Sequence, residues 1–227
     1  MTVCSVCGGT RFERRAVLGD LLAEEWGLTA RERDYVDRQQ GCQCVGCGAN
    51  LRSIALAEAL RTVFGTESLL GDFVKTERAR KFSVLEINEA GFLTPVLAAM
   101  PGHVFRTYPD IDMHAMPFAE GTFDVVTHSD TLEHVADPVR ALAECRRILT
   151  PNGALCFTIP IIVDRMTRSR AGLPKSYHGN PDVRAEDYVV HWEFGADAWT
   201  RVMEAGFSSV QTIAVDYPAA LALIARP

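Results

Sequence analysis

The 227-residue chain has no apolar run long enough to span a bilayer. Its N-terminus lacks the charged-then-apolar form of a secretion signal, and there is no internal repeat and no low-complexity tract. Positive charge is not in excess: 23 Lys and Arg face 29 Asp and Glu, for a formal net charge of -6. That balance excludes a general electrostatic grip on nucleic acid and leaves only local basic patches. Together these absences predict a soluble, cytoplasmic protein with no membrane or nucleic-acid partner. They leave the oligomeric state open, a homodimer included. With 48% hydrophobic residues the chain can bury a sizeable core, as one large domain or as a small module plus a core domain.

What the chain does have is cysteine in pairs. Cys4-Ser5-Val6-Cys7-Gly8 is answered by Cys44-Val45-Gly46-Cys47-Gly48. In each pair the spacing lets two thiolates from one tight turn point at one ion, and the glycine lets the backbone fold beneath the sulfurs. Two such turns predict a tetrahedral four-cysteine zinc cage. A redox pair or a disulfide is the competing reading. Cys42 stands beside the second turn as an alternative to Cys44. Cys145 and Cys156 lie in apolar patterns and read as core thiols. Seven cysteines so arranged point to a reducing compartment.

Residues 1–50 therefore read as a small zinc-ribbon-like module, with the charged run 29–34 as a solvated helix face. Such a module is too small to hold by burial alone, so the metal would supply much of its folding energy. Residues 51–64 carry a broad apolar stripe at helical spacing, stopped by Gly65, and residues 51–81 read as a connecting helix and linker. From residue 82 to 227 strands and helices alternate. Strands are expected at 82–87, 104–108, 123–128, 154–159, 209–215 and 219–225, and helices at 93–100, 138–149 and 196–205. Asp216-Tyr217-Pro218 is too short a joint for a crossover, so the last two strands form an antiparallel hairpin. The fold class is α/β, a doubly wound sheet ending in that hairpin.

Four motifs, in order, carry a family resemblance. They are Asp112-Met113-His114-Ala115-Met116-Pro117-Phe118 with Gly121-Thr122-Phe123-Asp124-Val125-Val126; Thr131-Leu132-Glu133-His134-Val135 with Asp137-Pro138; Arg147-Ile148-Leu149-Thr150-Pro151-Asn152-Gly153; and Glu204-Ala205-Gly206-Phe207. Over residues 82–225 the chain resembles class I S-adenosylmethionine-dependent methyltransferases of the type 11 kind. The resemblance implies a Rossmann-like sheet, S-adenosylmethionine as cofactor, and methyl transfer to a small molecule or saccharide. It also implies a cofactor site. Glu86, at the end of the first strand, would meet the cofactor's amino group. Asn88 and Gly91 would form the loop, Asp110 would hold the ribose, Asp112 and Met113 would face the adenine, and Ser129 would complete the site. There are two departures from the family pattern. The glycine-rich loop has become Asn88-Glu89-Ala90-Gly91-Phe92, where Ala90 and Phe92 narrow the approach and Asn88 still tolerates left-handed backbone. The stretch from Glu86 to Asp112 is short, as if one helix and one strand were missing or merged.

On the acceptor side, Asp130 and His134 share a face if helical. Asp130, Glu133 and His134 are candidates for a second, divalent metal; the alternative is that the two acids favour a helix start and His134 lines the pocket. His128, His134, Tyr177, His178 and His191 are expected to gather at the acceptor. His134, His178 and His191 are the candidate bases; Asp130, Tyr177 and Arg168 are the candidate substrate contacts. Residues 164–191 are long for a connector and read as a lid. Within that stretch Arg165, Arg168 and Arg170 either meet an acidic substrate or form a solvated face. The rival function is a methyltransferase-fold protein without methyl transfer, serving as a binding or scaffold subunit or doing other chemistry.

Overall fold

A computed structural model describes residues 3–177 and 186–227. Near the N-terminus, β1 (Phe12–Arg14) and β2 (Cys42–Cys44) pair antiparallel, with Phe12 opposite Cys44. Between them lie α1 (Asp20–Glu25) and α2 (Ala30–Gly41). A capping box starts α2: the Glu32 N–H donates to Thr29 Oγ1, and the Thr29 N–H donates to the Glu32 carboxylate. The run 29–34 is not wholly a solvated face, because Glu32 is buried.

Next comes α3 (Leu51–Phe64), capped by Asn50 Oδ1 on the Ser53 N–H and ended by Gly65 in left-handed backbone. Ten of its fourteen residues are buried. The sequence suggested a connector, but this helix is a layer of the main sheet.

That sheet has six strands in the order β10-β11-β6-β5-β3-β4. They are β3 (Val84–Ile87), β4 (His103–Arg106), β5 (Phe123–Ser129), β6 (Leu149–Thr158), β10 (Ser209–Val215) and β11 (Ala220–Arg226). β3, β4, β5 and β6 run parallel, while β11 and β10 are the expected antiparallel hairpin. Side chains alternate across it. Val84, Val125, Cys156 and Ile224 share one core with α3, whereas Leu85, Val126, Phe157 and Leu223 share the other with α6 (Pro138–Ile148). After β3 the chain makes only a 3-10 turn, the one-turn α5 (Thr94–Leu97) and β4. The shortening is real: β4 is the edge strand, and residues 107–122 lead directly to β5.

The stretch after β6 is not a bare loop. β7 (Ile161–Ile162), β8 (Arg168–Ser169) and β9 (Trp192–Gly195) form a three-stranded sheet in the order β7-β9-β8. It is followed by α7 (Trp199–Glu204), which packs beside α6. α4 (Leu70–Phe73) lies against the first cysteine turn, where the Gly71 N–H donates to the Val6 carbonyl.

Because Leu56 is fully buried in α3, Leu56→Ala should lower stability by about 2–5 kcal/mol in urea denaturation. A helix that only linked two units would lose less than about 1 kcal/mol.

Candidate active site and cysteine cage

In a doubly wound sheet the ligand crevice opens at the carboxyl ends of the parallel strands. At two neighbouring ends here, the residues just beyond β3 and β5 take left-handed backbone: Asn88 at φ 55° and Asp130 at φ 49°. Asn and Asp tolerate this region better than other side-chain-bearing residues. Asn88 thus takes a backbone conformation that glycine would otherwise supply. Its amide ties two loops together, with Oδ1 accepting the Tyr108 N–H at 3.0 Å and Nδ2 donating to Thr131 Oγ1 at 3.3 Å.

Glu86 departs from expectation. It is 0% exposed, and its carboxylate is used within the protein. It accepts the Ala90 N–H at 2.7 Å and the Thr94 hydroxyl at 2.5 Å, and it lies 2.7 Å from His103 Nε2. Glu86 therefore shapes the loop from inside and is not presented to a cofactor's amino group. Gly91, at φ 58°, lies against α3, where a Cβ would stand 2.6 Å from Ser53 Oγ. The Phe92 N–H donates to that same oxygen. Of the two bulkier loop residues, Ala90 is fully buried, whereas Phe92 stays 42% exposed with one side of its ring against Gly48 of the second cysteine turn.

Asp110 is exposed and lines an open groove of about 540 Å³ at the β4 edge, with Phe105, Arg106, Thr107, Ile111, Pro117 and Phe118. Asp112 closes a local turn. Its Oδ1 accepts the His114 N–H and contacts Nδ1, both at 2.8 Å, and the backbone bond chiefly holds its carboxyl below the usual range. Met113 is buried in the α6-side core. Ser129 shares a 2.8 Å hydroxyl bond with Thr158 of β6.

Asp130 pairs with Arg52 from the first turn of α3. That pairing overturns the second-metal expectation. A permanent guanidinium occupies the Asp130 carboxylate, and among the described residues the only group arranged to hold an ion is the cysteine set. Glu133 is buried next to this pair. Desolvation, reinforced by the Asp130 charge, pushes its carboxyl well above the ordinary value. His134 Nδ1 lies 3.1 Å from the Val189 carbonyl. A carbonyl only accepts, so Nδ1 carries the proton and Nε2 keeps the lone pair. Burial holds the His134 pKa below its ordinary value, and the neighbouring His191 charge adds to this. The His191 N–H donates to the Glu133 carbonyl at 2.8 Å, and Tyr177 bridges to Val189. His134, His191 and Tyr177 thus belong to one neighbourhood; His178 lies outside the described residues.

Two groups fall elsewhere. His128 is a core residue stacked on Phe157 at 4.9 Å, and burial lowers its pKa to about 3. Arg168 is half-exposed, and its Nε donates to Glu193 at 2.7 Å. Arg165 and Arg170 are paired as well, with Glu32 and Glu193. Arg52 was not singled out in the sequence, yet an arginine inside the buried stripe 51–64 is a usable signal, since an arginine is rarely buried unless paired.

The cysteine turns converge. Cys4 Sγ lies 3.7 Å from Cys47 Sγ, Cys7 Sγ lies 3.7 Å from Cys44 Sγ, and all four sulfurs fall within 4.8 Å of one another. Zinc–sulfur bonds of ~2.3 Å set tetrahedral edges of ~3.8 Å. The set therefore fits one four-coordinate ion, with Cys44 and not Cys42 as the fourth sulfur. These contacts are far longer than a disulfide bond.

A family model described as a methyltransferase domain matches residues 43–157, and a second of the same description matches residues 110–205. The chain is 30% identical to a ubiquinone biosynthesis O-methyltransferase of Thiobacillus denitrificans over 114 residues, covering 50% of this chain and 41% of that protein. It is also 30% identical to a demethylmenaquinone methyltransferase of Mycolicibacterium vanbaalenii over 112 residues, covering 44% and 49%. The chain spans less than half the length of these curated relatives. Among solved structures, a SAM-dependent methyltransferase of Thermotoga maritima matches with a TM-score of 0.41 and 15% identity, covering 76% of this chain and 88% of that one.

Removing Arg52 would leave a buried carboxylate without its cation. Arg52→Met should cost about 3 kcal/mol of stability near pH 8 and less near pH 5. The sign follows from Asp130, whose folded pKa is already raised by desolvation and is held down by Arg52. Without Arg52 the penalty is full when the carboxylate is charged and shrinks as falling pH protonates it. Chemical denaturation at both pH values checks this; an equal loss at both would mean that Arg52 acts by packing alone.

Proposed function

The chain belongs to the methyltransferase-domain family, and on that premise we propose that it transfers a methyl group from S-adenosylmethionine to a small-molecule or saccharide acceptor. The observation that carries this reading is the His134 geometry at the carboxyl edge of the sheet: a neutral imidazole, its tautomer fixed by the Val189 carbonyl, beside the strand ends where the fold binds ligands. Similarity to enzymes named for quinone methylation supports an acceptor of small-molecule size.

The residues at hand fit the cofactor. The left-handed turns at Asn88 and Gly91 keep the loop shape that glycines would give, Ala90 is taken up by packing, and the Phe92 ring leans on Gly48 of the second cysteine turn. Asn88 and the exposed Asp110 are the groups that would hold it, with Gly91, Asp112 and Ser129 shaping the loops around them; when bound, it supplies a sulfonium-borne methyl group. The chain's own contribution is positioning and one base. His134 Nε2 takes the proton of an acceptor hydroxyl as that oxygen commits its lone pair to the new bond. The Val189 carbonyl steadies the proton on Nδ1, and burial with the Asp130 charge raises the Glu133 pKa, which lessens the competing charge next to the imidazole. His191 and Tyr177 flank the acceptor.

We also propose that the four-cysteine cage holds one structural zinc and makes the first fifty residues a metal-held module. A reducing cytoplasm suits seven cysteines, none of which is in a disulfide. No helix of the described residues is long and apolar enough to cross a membrane.

One observation favours a second reading, a methyltransferase fold kept for binding alone: Glu86 is committed to Ala90, Thr94 and His103. Calorimetric titration with S-adenosylhomocysteine separates the two. Methyl transfer requires binding in the micromolar range, with His134→Gln leaving that affinity unchanged. No binding at millimolar ligand would leave the binding-only reading. Elemental analysis of protein purified without added metal should find one zinc per chain; a folded, metal-free protein would contradict the cage.

A further inference from the structure

The acceptor side is tied to the N-terminal region by one side chain. Arg165 follows β7, and its guanidinium reaches back more than 130 residues in sequence. Nε donates to Glu32 Oε1 at 2.6 Å, and Nη2 donates to Glu32 Oε2 at 2.9 Å. Nη1 donates to the Trp26 carbonyl at 2.8 Å, and Nη2 also donates to the Gly27 carbonyl at 2.8 Å. Four of the five guanidinium N–H groups are thereby used. Glu32 is buried, and its pKa is lowered to about 2, chiefly by this contact. Other bonds lie alongside. The Trp26 indole N–H donates to Ser176 Oγ at 2.9 Å, the Arg170 guanidinium lies 5.5 Å over the Trp26 ring, and Arg31 pairs with Asp164.

The segment so fastened is the one that seats the acceptor residues. It runs from β7 to Tyr177, pairs there with Val189, and returns through β9. Val189 fixes the His134 ring, and the His191 N–H binds the Glu133 carbonyl. The ion pair joins the buried Glu32 of α2 to a partly exposed Arg165 just beyond β7.

We propose that Arg165 is a positioning residue, which, by clamping Glu32, Trp26 and Gly27, makes the N-terminal region the support that holds Val189 and His191 against His134. This rests on the reading of the His134 side as the acceptor site. It extends that reading by giving the N-terminal region a part in site geometry.

The test uses the full chain with Glu32→Gln and Arg165→Lys, each of which keeps some hydrogen bonding and so preserves folding. Two readouts need neither cofactor nor substrate. In hydrogen exchange followed by mass spectrometry, peptides covering 161–177 and 186–195 should exchange roughly 10-fold faster or more in both variants, while β3 and β5 stay within about twofold of wild type. In nitrogen-15 spectra of the imidazole, His134 should lose its single Nδ1–H tautomer. Unchanged exchange in 161–177 and 186–195, or an unchanged His134 signal, overturns the proposal. So does equal acceleration in β3 and β5, which would make Arg165 a general stabiliser of the fold. Binding of S-adenosylhomocysteine tests the methyltransferase reading separately, so failure of one is distinguishable from failure of the other.

Discussion

The first turn of α3 is the constraint on which the rest depends. Four consecutive residues there serve different parts of the molecule. Asn50 starts the helix directly after the second cysteine turn. Leu51 enters the core shared with the main sheet. Arg52 neutralises Asp130 at the end of β5, and Ser53 holds the loop after β3 through the Phe92 N–H. A helix whose stripe is buried on a sheet cannot rotate without exposing that stripe. Burial of Ile54, Leu56 and Leu60 therefore fixes where Arg52 and Ser53 point. The cysteine turns, the loop after β3 and the acidic strand end are aligned by the same hydrophobic contact.

The electrostatics of the crevice follow. An isolated charge is costly to bury, so each ionisable group is either paired or driven neutral. Arg52 and Asp130 form the pair. Glu133, lying beside an acid already satisfied, is pushed toward its protonated form. His134, desolvated and bonded to a carbonyl, has its pKa lowered, which favours the neutral imidazole. A divalent ion would compete with Arg52 for the same carboxylate, which is why a motif suggestive of metal binding folds into an organic ion pair. Among the described residues the four sulfurs are the group arranged to hold an ion.

Much of this was legible in the sequence because it is local or periodic. The stripe at 51–64 and its Gly65 stop specify α3 to the residue. The three-residue joint at 216–218 dictates the terminal hairpin, and the short distance from Glu86 to Asp112 announces the missing strand. Paired C-x-x-C-Gly turns bring four sulfurs together for the same reason. What the sequence did not carry is long-range pairing. Charges at 29–34 look solvated until Arg165 arrives from beyond residue 160, and Arg168 and Arg170 look free until Glu193 is placed beside them. The position of Glu86 at the strand end is visible in the sequence, whereas its inward bonds to Ala90, Thr94 and His103 are not.

The most direct measurement is a crystal structure of the chain grown with S-adenosylhomocysteine. The ligand should lie across the carboxyl ends of β3 and β5, over the Asn88–Gly91 turn, with its sulfur facing the His134 side and the Arg52–Asp130 pair intact beneath it. A crystal soaked to saturation with no ligand at those strand ends, or with ligand only at the β4 groove, would contradict the assignment of this crevice as the methyl-transfer site.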